Sequence, residues 1–373
     1  MIKKSAILFI LISLACVNTS AQIDNSLNPL ITGVPSLSIA PDARGGGMGD
    51  VGGATTPDVN SQYWNPSKYA FMEDGAGISL SYTPWLRKLV SDINLAYVAG
   101  YYKIGELQAV SASLRYFSLG QVDLTGTSGE SMGSFKPSEF ALDVAYSRKL
   151  SENWSAGVAL RYIHSDLSGG QISDMWPGNS FAADVSTYFT KPIAVSTGDA
   201  KFGFGLNISN IGSKISYDKG DTKLFLPTNL RLGLSYEHPL DEFNTISINL
   251  DINKLLIPAD TATTVDGHQL YYDISPLSGI FKSFGDKDFA KRIQYSLGAE
   301  YTYNKQFFVR GGYFYESELS GNRKYFTFGA GFKLNVFRLD AAYVIATSQT
   351  NPLDQTLRFT LGFDLAGMAS MLK

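Results

Sequence analysis

Between about residue 76 and residue 366 the chain alternates apolar and polar side chains with period two, run after run. This constrains the fold more than any other feature. Successive side chains on a strand point to opposite faces, so each run reads as a strand with two unlike faces. "QAVSASLRYF" sets Val110, Ala112, Leu114 and Tyr116 against Ser111, Ser113 and Arg115. "EFALDVAYS", "WSAGVALRYIH", "NLRLGLSYE", "TISINLDIN" and "TLRFTLGFDL" repeat the pattern. About fourteen such segments are expected, near 76–85, 92–104, 107–118, 138–150, 153–166, 180–190, 201–212, 227–238, 243–255, 291–303, 307–318, 323–333, 336–347 and 356–366.

The polar faces decide between a soluble sandwich and a membrane barrel. Consecutive strands carry charges of both signs: Arg115, Asp143, Arg161, Arg231, Asp251, Glu300, Arg310, Arg338, Asp340 and Arg358. Such a face is suited to a polar lumen, with the apolar face turned to lipid. Leu232, Leu250 and Leu361 are therefore expected to face lipid, and Arg231, Asp251 and Arg358 the lumen. Tyr301, Tyr303, Tyr313, Tyr315 and Tyr343 gather near strand ends, where interfacial girdles form. Tight connections ("GE", "SEN", "HPLDE", "NKQ", "KLN") alternate with longer ones, as in outer-membrane barrels. "TKPIAVSTGDA" is the exception, long where a tight turn is due. The expected fold is an all-β, transmembrane antiparallel barrel of about 14 strands over 76–366, with a short tail at 367–373.

Composition agrees. Aromatic residues make up 13% and glycines number 36, and no stretch after the N-terminus holds 18 continuous apolar residues, the length a spanning helix needs. "MIKKSAILFILISLACVNTSAQ" has a basic start, an apolar middle and a small-residue end, so residues 1–21 are expected to be a signal peptide. The single cysteine, Cys16, lies inside it, which leaves no thiol for a disulfide or a thiolate metal site. The formal charge of −3 falls by two, to −5, once Lys3 and Lys4 are gone, so nothing attracts nucleic acid.

Register predicts ion pairs. Setting Leu232 opposite Leu250 sets Arg231 opposite Asp251. Setting Val309 opposite Tyr301 sets Arg310 opposite Glu300 and Arg292 opposite Glu318. Such cross-strand pairs contribute about 0.2–1 kcal/mol each. Chemistry is otherwise sparse. His164, His238 and His268 lack metal-ligand spacing. Gly47-Met48-Gly49-Asp50-Val51-Gly52 is a literal G-x-G-x-x-G, but no buried strand precedes it and Pro57 stands where a helix should run. No catalytic, cofactor-binding or metal-binding residue is expected.

The segment "SIAPDARGGGMGDVGGATTPDVNSQYWNPSKYA", followed by "ISLSYTPWLRKLVSDINLAYVAGYY", resembles the N-terminal signature of the FadL-like outer-membrane barrel superfamily. More closely, it resembles the PorV (LptO) branch of the type IX secretion system. The resemblance implies that residues 22–75 fold inward as a plug or hatch, with Gly47, Gly49, Gly52, Trp64, Asn65 and Pro66 in its signature. It also implies a non-enzymatic component that binds the C-terminal sorting domain of secreted cargo. Its partners would be the translocon barrel, that cargo, a surface attachment complex and outer-membrane lipid, with no nucleic acid. Rival readings are a FadL-type transporter of hydrophobic small molecules, the sister secretion component PorQ, and a diffusion porin. The chain departs from many such barrels in ending on "AGMASMLK" rather than a terminal aromatic.

One loop stands out. Residues 256–290 form the longest connection, and it carries Tyr271, Tyr272, Ile274, Leu277, Ile280, Phe281, Phe284 and Phe289. Apolar content of that order marks either a partner-binding loop or a lid over the barrel.

Overall fold

A computed structural model describes residues 30–87, 90–259, 264–265, 268–269, 273–347 and 353–371. In chain order the strands are β1 (Ala76–Pro84), β2 (Asn94–Ile104), β3 (Gln108–Ser118), β4 (Val122–Thr125), β5 (Ser131–Phe135), β6 (Ser138–Lys149), β7 (Trp154–Asp166), β8 (Gly178–Val195) and β9 (Gly198–Gly212). There follow β10 (Asn229–Pro239), β11 (Asn244–Leu255), β12 (Thr264–Val265), β13 (His268–Gln269), β14 (Ile293–Tyr303), β15 (Phe307–Tyr315), β16 (Lys324–Leu334), β17 (Phe337–Ala346) and β18 (Leu357–Asp364). Fourteen of them close into one barrel, whereas β4–β5 and β12–β13 are separate two-stranded hairpins. Closure is direct: β1 pairs antiparallel with β18, Leu80 opposite Leu361.

Burial runs opposite to that of a soluble protein. Leu160 is 71% exposed while its neighbour Arg161 is 7% exposed. Val309 is exposed and Arg310 buried, and the same inversion holds at Leu142 and Asp143. The outward face is therefore the apolar one, and the lumen holds the charges. Leu232, Leu250 and Leu361 lie on the outward face, and Arg231, Asp251 and Arg358 are buried on the inward one. Outward aromatic rings meet near both strand ends. Tyr303–Phe307 and Phe307–Phe332 meet beside tight turns, and Tyr295–Tyr315 and Tyr313–Phe326 beside the longer loops. By the rule that periplasmic turns are short, the tight-turn end is the inner one. Among the described residues no helix is long and apolar enough to cross a membrane.

Two local expectations are corrected. The β10–β11 hairpin places Leu232 opposite Ile252 and Leu234 opposite Leu250, so Arg231 faces Asn253 and not Asp251. The slip is two residues, which preserves every side-chain face. Asp241 causes it. Its Oδ1 accepts from the Phe243 and Asn244 N–H groups, both at 2.9 Å, and moves the reversal one residue along the chain. The long "TKPIAVSTGDA" connection is mostly strand: β8 and β9 stay paired to Val195 opposite Gly198.

The N-terminal segment threads the lumen. Val34 and Leu37 pack with Ala141, Ile163 and Ala182 near the outer ends of β6, β7 and β8. The chain then passes through one-turn helices α1 (Ala43–Gly46) and α2 (Ser61–Trp64) and a 3-10 turn at Pro66–Phe71. It finishes at the inner end, where Tyr69 stacks on Tyr101 at 5.3 Å beside Met72 and Ala109. Helix α3 (Pro276–Lys282) lies in the longest loop, and α4 (Leu365–Met371) follows β18.

The face assignment is testable at Leu234, outward on β10 and 42% exposed. Leu234→Arg should cost about 2–4 kcal/mol if this position is near the bilayer midplane. Leu234→Phe should be nearly neutral. Refolding into lipid vesicles, read by heat-modifiable gel migration, checks both. Equal yields for the two variants would reverse the assignment.

Candidate functional site

The lumen is occupied by a plug whose polar groups are matched to the wall. Asp42 caps α1 by accepting from the Gly45 N–H at 2.8 Å, and it takes the Trp64 indole N–H at 2.6 Å. Arg44 spreads its fork to Glu300 of β14 at 2.9 Å, to Asp58 at 2.8 Å and to the Thr56 carbonyl at 2.9 Å. Glu300 also receives Arg310 at 2.5 Å, and Arg310 continues to Asp340 at 2.7 Å. Asp340 is held from its other side by Arg338 at 2.7 Å. Asp50 bonds Arg358 and accepts the Tyr325 hydroxyl at 2.5 Å. Asp251 accepts from the Gly52 and Gly53 N–H groups at 3.0 and 2.9 Å, and Arg231 reaches the same carboxylate at 3.4 Å. Lys68, fully buried, donates to the Gly52 carbonyl and to Thr55.

The glycine run closes against the wall. Gly49 has φ +75°, and a Cβ there would lie within 3 Å of the Tyr313 backbone. A Cβ on Gly52 would meet the Trp64 ring at 2.2 Å. Gly47 lies against Gly329 of β16. The literal G-x-G-x-x-G thus serves backbone contact, and α1 is one turn long, with its Ala43 amide taken by Thr360 and its Gly45 amide by Asp42. Asn65 ties plug to wall, donating to the carbonyls of Gly53 and Thr187 at 3.0 Å each. Pro66 opens the 3-10 turn that Asn65 caps.

Of the expected ion pairs, the structure sets Arg310 opposite Glu300. Arg231 and Asp251 meet diagonally, through their side chains. Arg292 and Glu318 are not brought opposite each other. The β14–β15 ladder ends at Tyr295 opposite Tyr315, and Glu318 lies in a 3-10 turn where it approaches Lys324 at 3.6 Å. Sequence reading missed the plug's own charges, Arg44, Asp42, Asp50, Asp58 and Lys68. Their signal was present: charged residues inside a glycine-rich segment, with charged strands around it. Among the described residues no group of three or more His, Cys, Asp or Glu could hold a metal ion.

Above the plug is the outer mouth. The Gly33 N–H donates to the Phe225 carbonyl at 2.9 Å, and Arg115 donates to the carbonyls of Ser36 and Ile39. The 213–228 loop is pinned by Asp218. Its carboxyl, bonded to Thr222 and Ser216, is held down at about 2. Burial draws the Lys214 ammonium down to about 8, against the pull of Asp273. In the longest loop, Ile274 packs toward Phe225 and Ile257, and Ile280 is half-buried. Leu277, Phe281 and Phe284 project outward. Tyr271 and Tyr272 lie outside the described residues. The β4–β5 hairpin stands beyond the wall, with Val122 and Met132 exposed.

A plugged 14-strand barrel with this N-terminal signature has a match among known families. Residues 21–262, more than half of the sequence, match the family described as type IX secretion system protein PorV. The chain belongs to the PorV family. It is thereby an outer-membrane barrel component of the type IX secretion system. No curated protein matches it in sequence. Among solved structures, this PorV-family barrel is similar to the Ralstonia pickettii toluene transporter TbuX, at 14% identity over 91% of this chain and 98% of that one, with a TM-score of 0.48. It is also similar to a Pseudomonas aeruginosa FadL homologue, at 12% identity over 87% and 98%, with a TM-score of 0.47.

The plug contacts predict a sealed lumen in this PorV-family barrel. Arg44→Ala leaves Glu300 and Asp58 without that guanidinium, and breaking a buried pair costs about 3–5 kcal/mol. Planar-bilayer conductance and protease cleavage of the plug should both rise, with heat-modifiable migration unchanged. Conductance equal to the parent's would show that other contacts seat the plug alone.

Proposed function

We propose that this barrel binds the C-terminal sorting domain of secreted cargo at the translocon and carries it to the surface attachment complex. The observation that carries this reading is the plugged lumen of a PorV-family member. A segment tied to the wall by buried ion pairs leaves the outer loops and the outer wall as the surfaces for a protein partner. The β4–β5 hairpin is suited to that task. Its two strands pair only with each other among the described residues, so both ribbon edges offer free N–H and C=O groups. No catalytic step is part of the reading.

A second reading rests on an apolar cleft at the outer mouth, lined by Ile39, Trp85, Leu86, Ile93, Phe117 and Leu119. Such a cleft is suited to a hydrophobic small molecule, as a transporter would need. Against it, the path below the cleft is filled by α1 and the glycine run.

A pulldown of tagged protein in mild detergent separates the two. The secretion reading expects co-purification of the translocon and of cargo sharing a C-terminal domain. Replacing residues 121–136 with a short Gly/Ser connector should leave the barrel folded, since changing loop length costs only about 0.6 kcal/mol per doubling. Cargo capture should then fall about tenfold, which corresponds to about 1.4 kcal/mol of binding. Bound hydrophobic ligand without cargo or translocon would favour transport. A folded variant with undiminished capture would move recognition to the remaining outer surface.

A further inference from the structure

The segment after α3 leaves the mouth and folds over the rim onto the lipid-facing side. Lys254 shows this. It shares the outward face of β11 with Ile248, Leu250 and Ile252, yet it is only 4% exposed. Its ammonium lies 4.8 Å from the Phe289 ring centre, and the Ala259 N–H reaches Asp286 at 3.5 Å. Residues 286–289 therefore cover the outer face of β11 at its upper end. Two residues along the same face, Ile252 faces Tyr295, the outward aromatic that pairs with Tyr315 in the outer girdle.

A stripe of exposed apolar side chains leads up to Phe289. Leu277, Phe281 and Phe284 stand at i, i+4 and i+7, one stripe of a helix and its following turn. They are 62%, 76% and 48% exposed. The opposite side of α3 is the packed one, with Gly279 against Phe225 and Pro258. The Phe284 ring lies 6.0 Å from Phe289, so the stripe runs into the ring that covers Lys254. Exposed Lys282 and Lys287 flank it. Apolar residues beside lysines whose long stems can lift their charge to water form the pattern of an interfacial anchor.

We propose that Leu277, Phe281 and Phe284 insert into the headgroup–acyl boundary of the outer leaflet, as a lipid anchor continuous with the aromatic girdle. The occupant is the lipid surface and not a protein. The stripe joins a face that is already lipid-facing, and the solvent-projecting hairpin β4–β5 lies elsewhere on the rim. The anchor would fix the orientation of the longest loop while leaving the mouth open to partners.

The test uses the full chain carrying Cys16→Ser, with an environment-sensitive fluorophore on F281C. L277C is a second site, and T127C at the hairpin tip is the solvent control. Each is reconstituted in phosphatidylethanolamine–phosphatidylglycerol vesicles containing nitroxide lipid labelled near the headgroup. At 281 and 277 emission should move to the blue and be quenched by nitroxide about twofold or more above position 127. Two labelled positions keep the test valid if one variant fails to fold. Quenching by aqueous iodide without nitroxide quenching would overturn the proposal, as would shielding from both agents, which would mean that the stripe folds onto its own barrel. A blue shift that appears only when cargo or translocon is added would overturn it too, by making the stripe a protein contact.

Discussion

The line of ions from half-buried Asp58 through buried Arg44, Glu300, Arg310 and Asp340 to half-buried Arg338 is the interaction on which the rest of this structure depends. A charge removed from water is tolerated only when it is paired and its remaining hydrogen-bonding capacity is used. The strands alone leave the account incomplete. Glu300 and Arg310 pair across one hairpin, but Arg358 and Asp251 take further partners from the plug. Asp50 meets the first, and the Gly52 and Gly53 amides meet the second. Plug and wall are thus two halves of one polar core.

That arrangement turns a common protein inside out. The lumen is packed and charged, and the apolar side chains stand on the perimeter against lipid. A soluble sandwich with the same alternation would bury Leu160 and expose Arg161. The consequence for function is spatial. With the interior given to holding the plug, the proposed function assigns recognition to the rim and the wall. The structure offers three distinct rim surfaces: an apolar cleft beside Trp85, a projecting hairpin, and the stripe on α3.

Most of the barrel was legible in the sequence, because period two needs no knowledge of partners. A strand's two faces follow from local sequence, and charge on the inward face named the lumen. Register was less legible. The slip at "HPLDE" turned on which backbone amides Asp241 would cap, a choice between adjacent turns of similar composition. Arg292 and Glu318 were extrapolated past the point where β15 gives way to a 3-10 turn at 318–320. The plug was readable as a segment but not as a set of bonds. Arg44 finds Glu300 across 256 residues, and nothing local announces such a partner. In the longest loop, composition showed apolar excess without direction. Ile274 turned to the core and Phe281 away from it, a division set by α3 and by the position of Phe225.

The plug also bears on how the barrel closes. The seam between β1 and β18 is the contact of greatest sequence separation in the wall, and such contacts are the most costly to form. Here the seam has a third participant. The Ala43 N–H donates to Thr360 of β18 at 2.9 Å, and the Thr360 hydroxyl meets Ser81 of β1 at 2.8 Å. On β1 itself, Ser79 bonds Asn60 of the plug at 2.7 Å. The plug is contiguous in sequence with β1, so its contacts with β1 are short-range. Its contacts with β18 are long-range. A plug already packed on β1 therefore presents Ala43 and Asp50 to Thr360 and Arg358, and closing the seam buries both sets of bonds together. Seating the plug and completing the barrel are in this way energetically coupled. The glycine run that resembles a nucleotide cradle lets a backbone lie close enough to the strands for that coupling to exist.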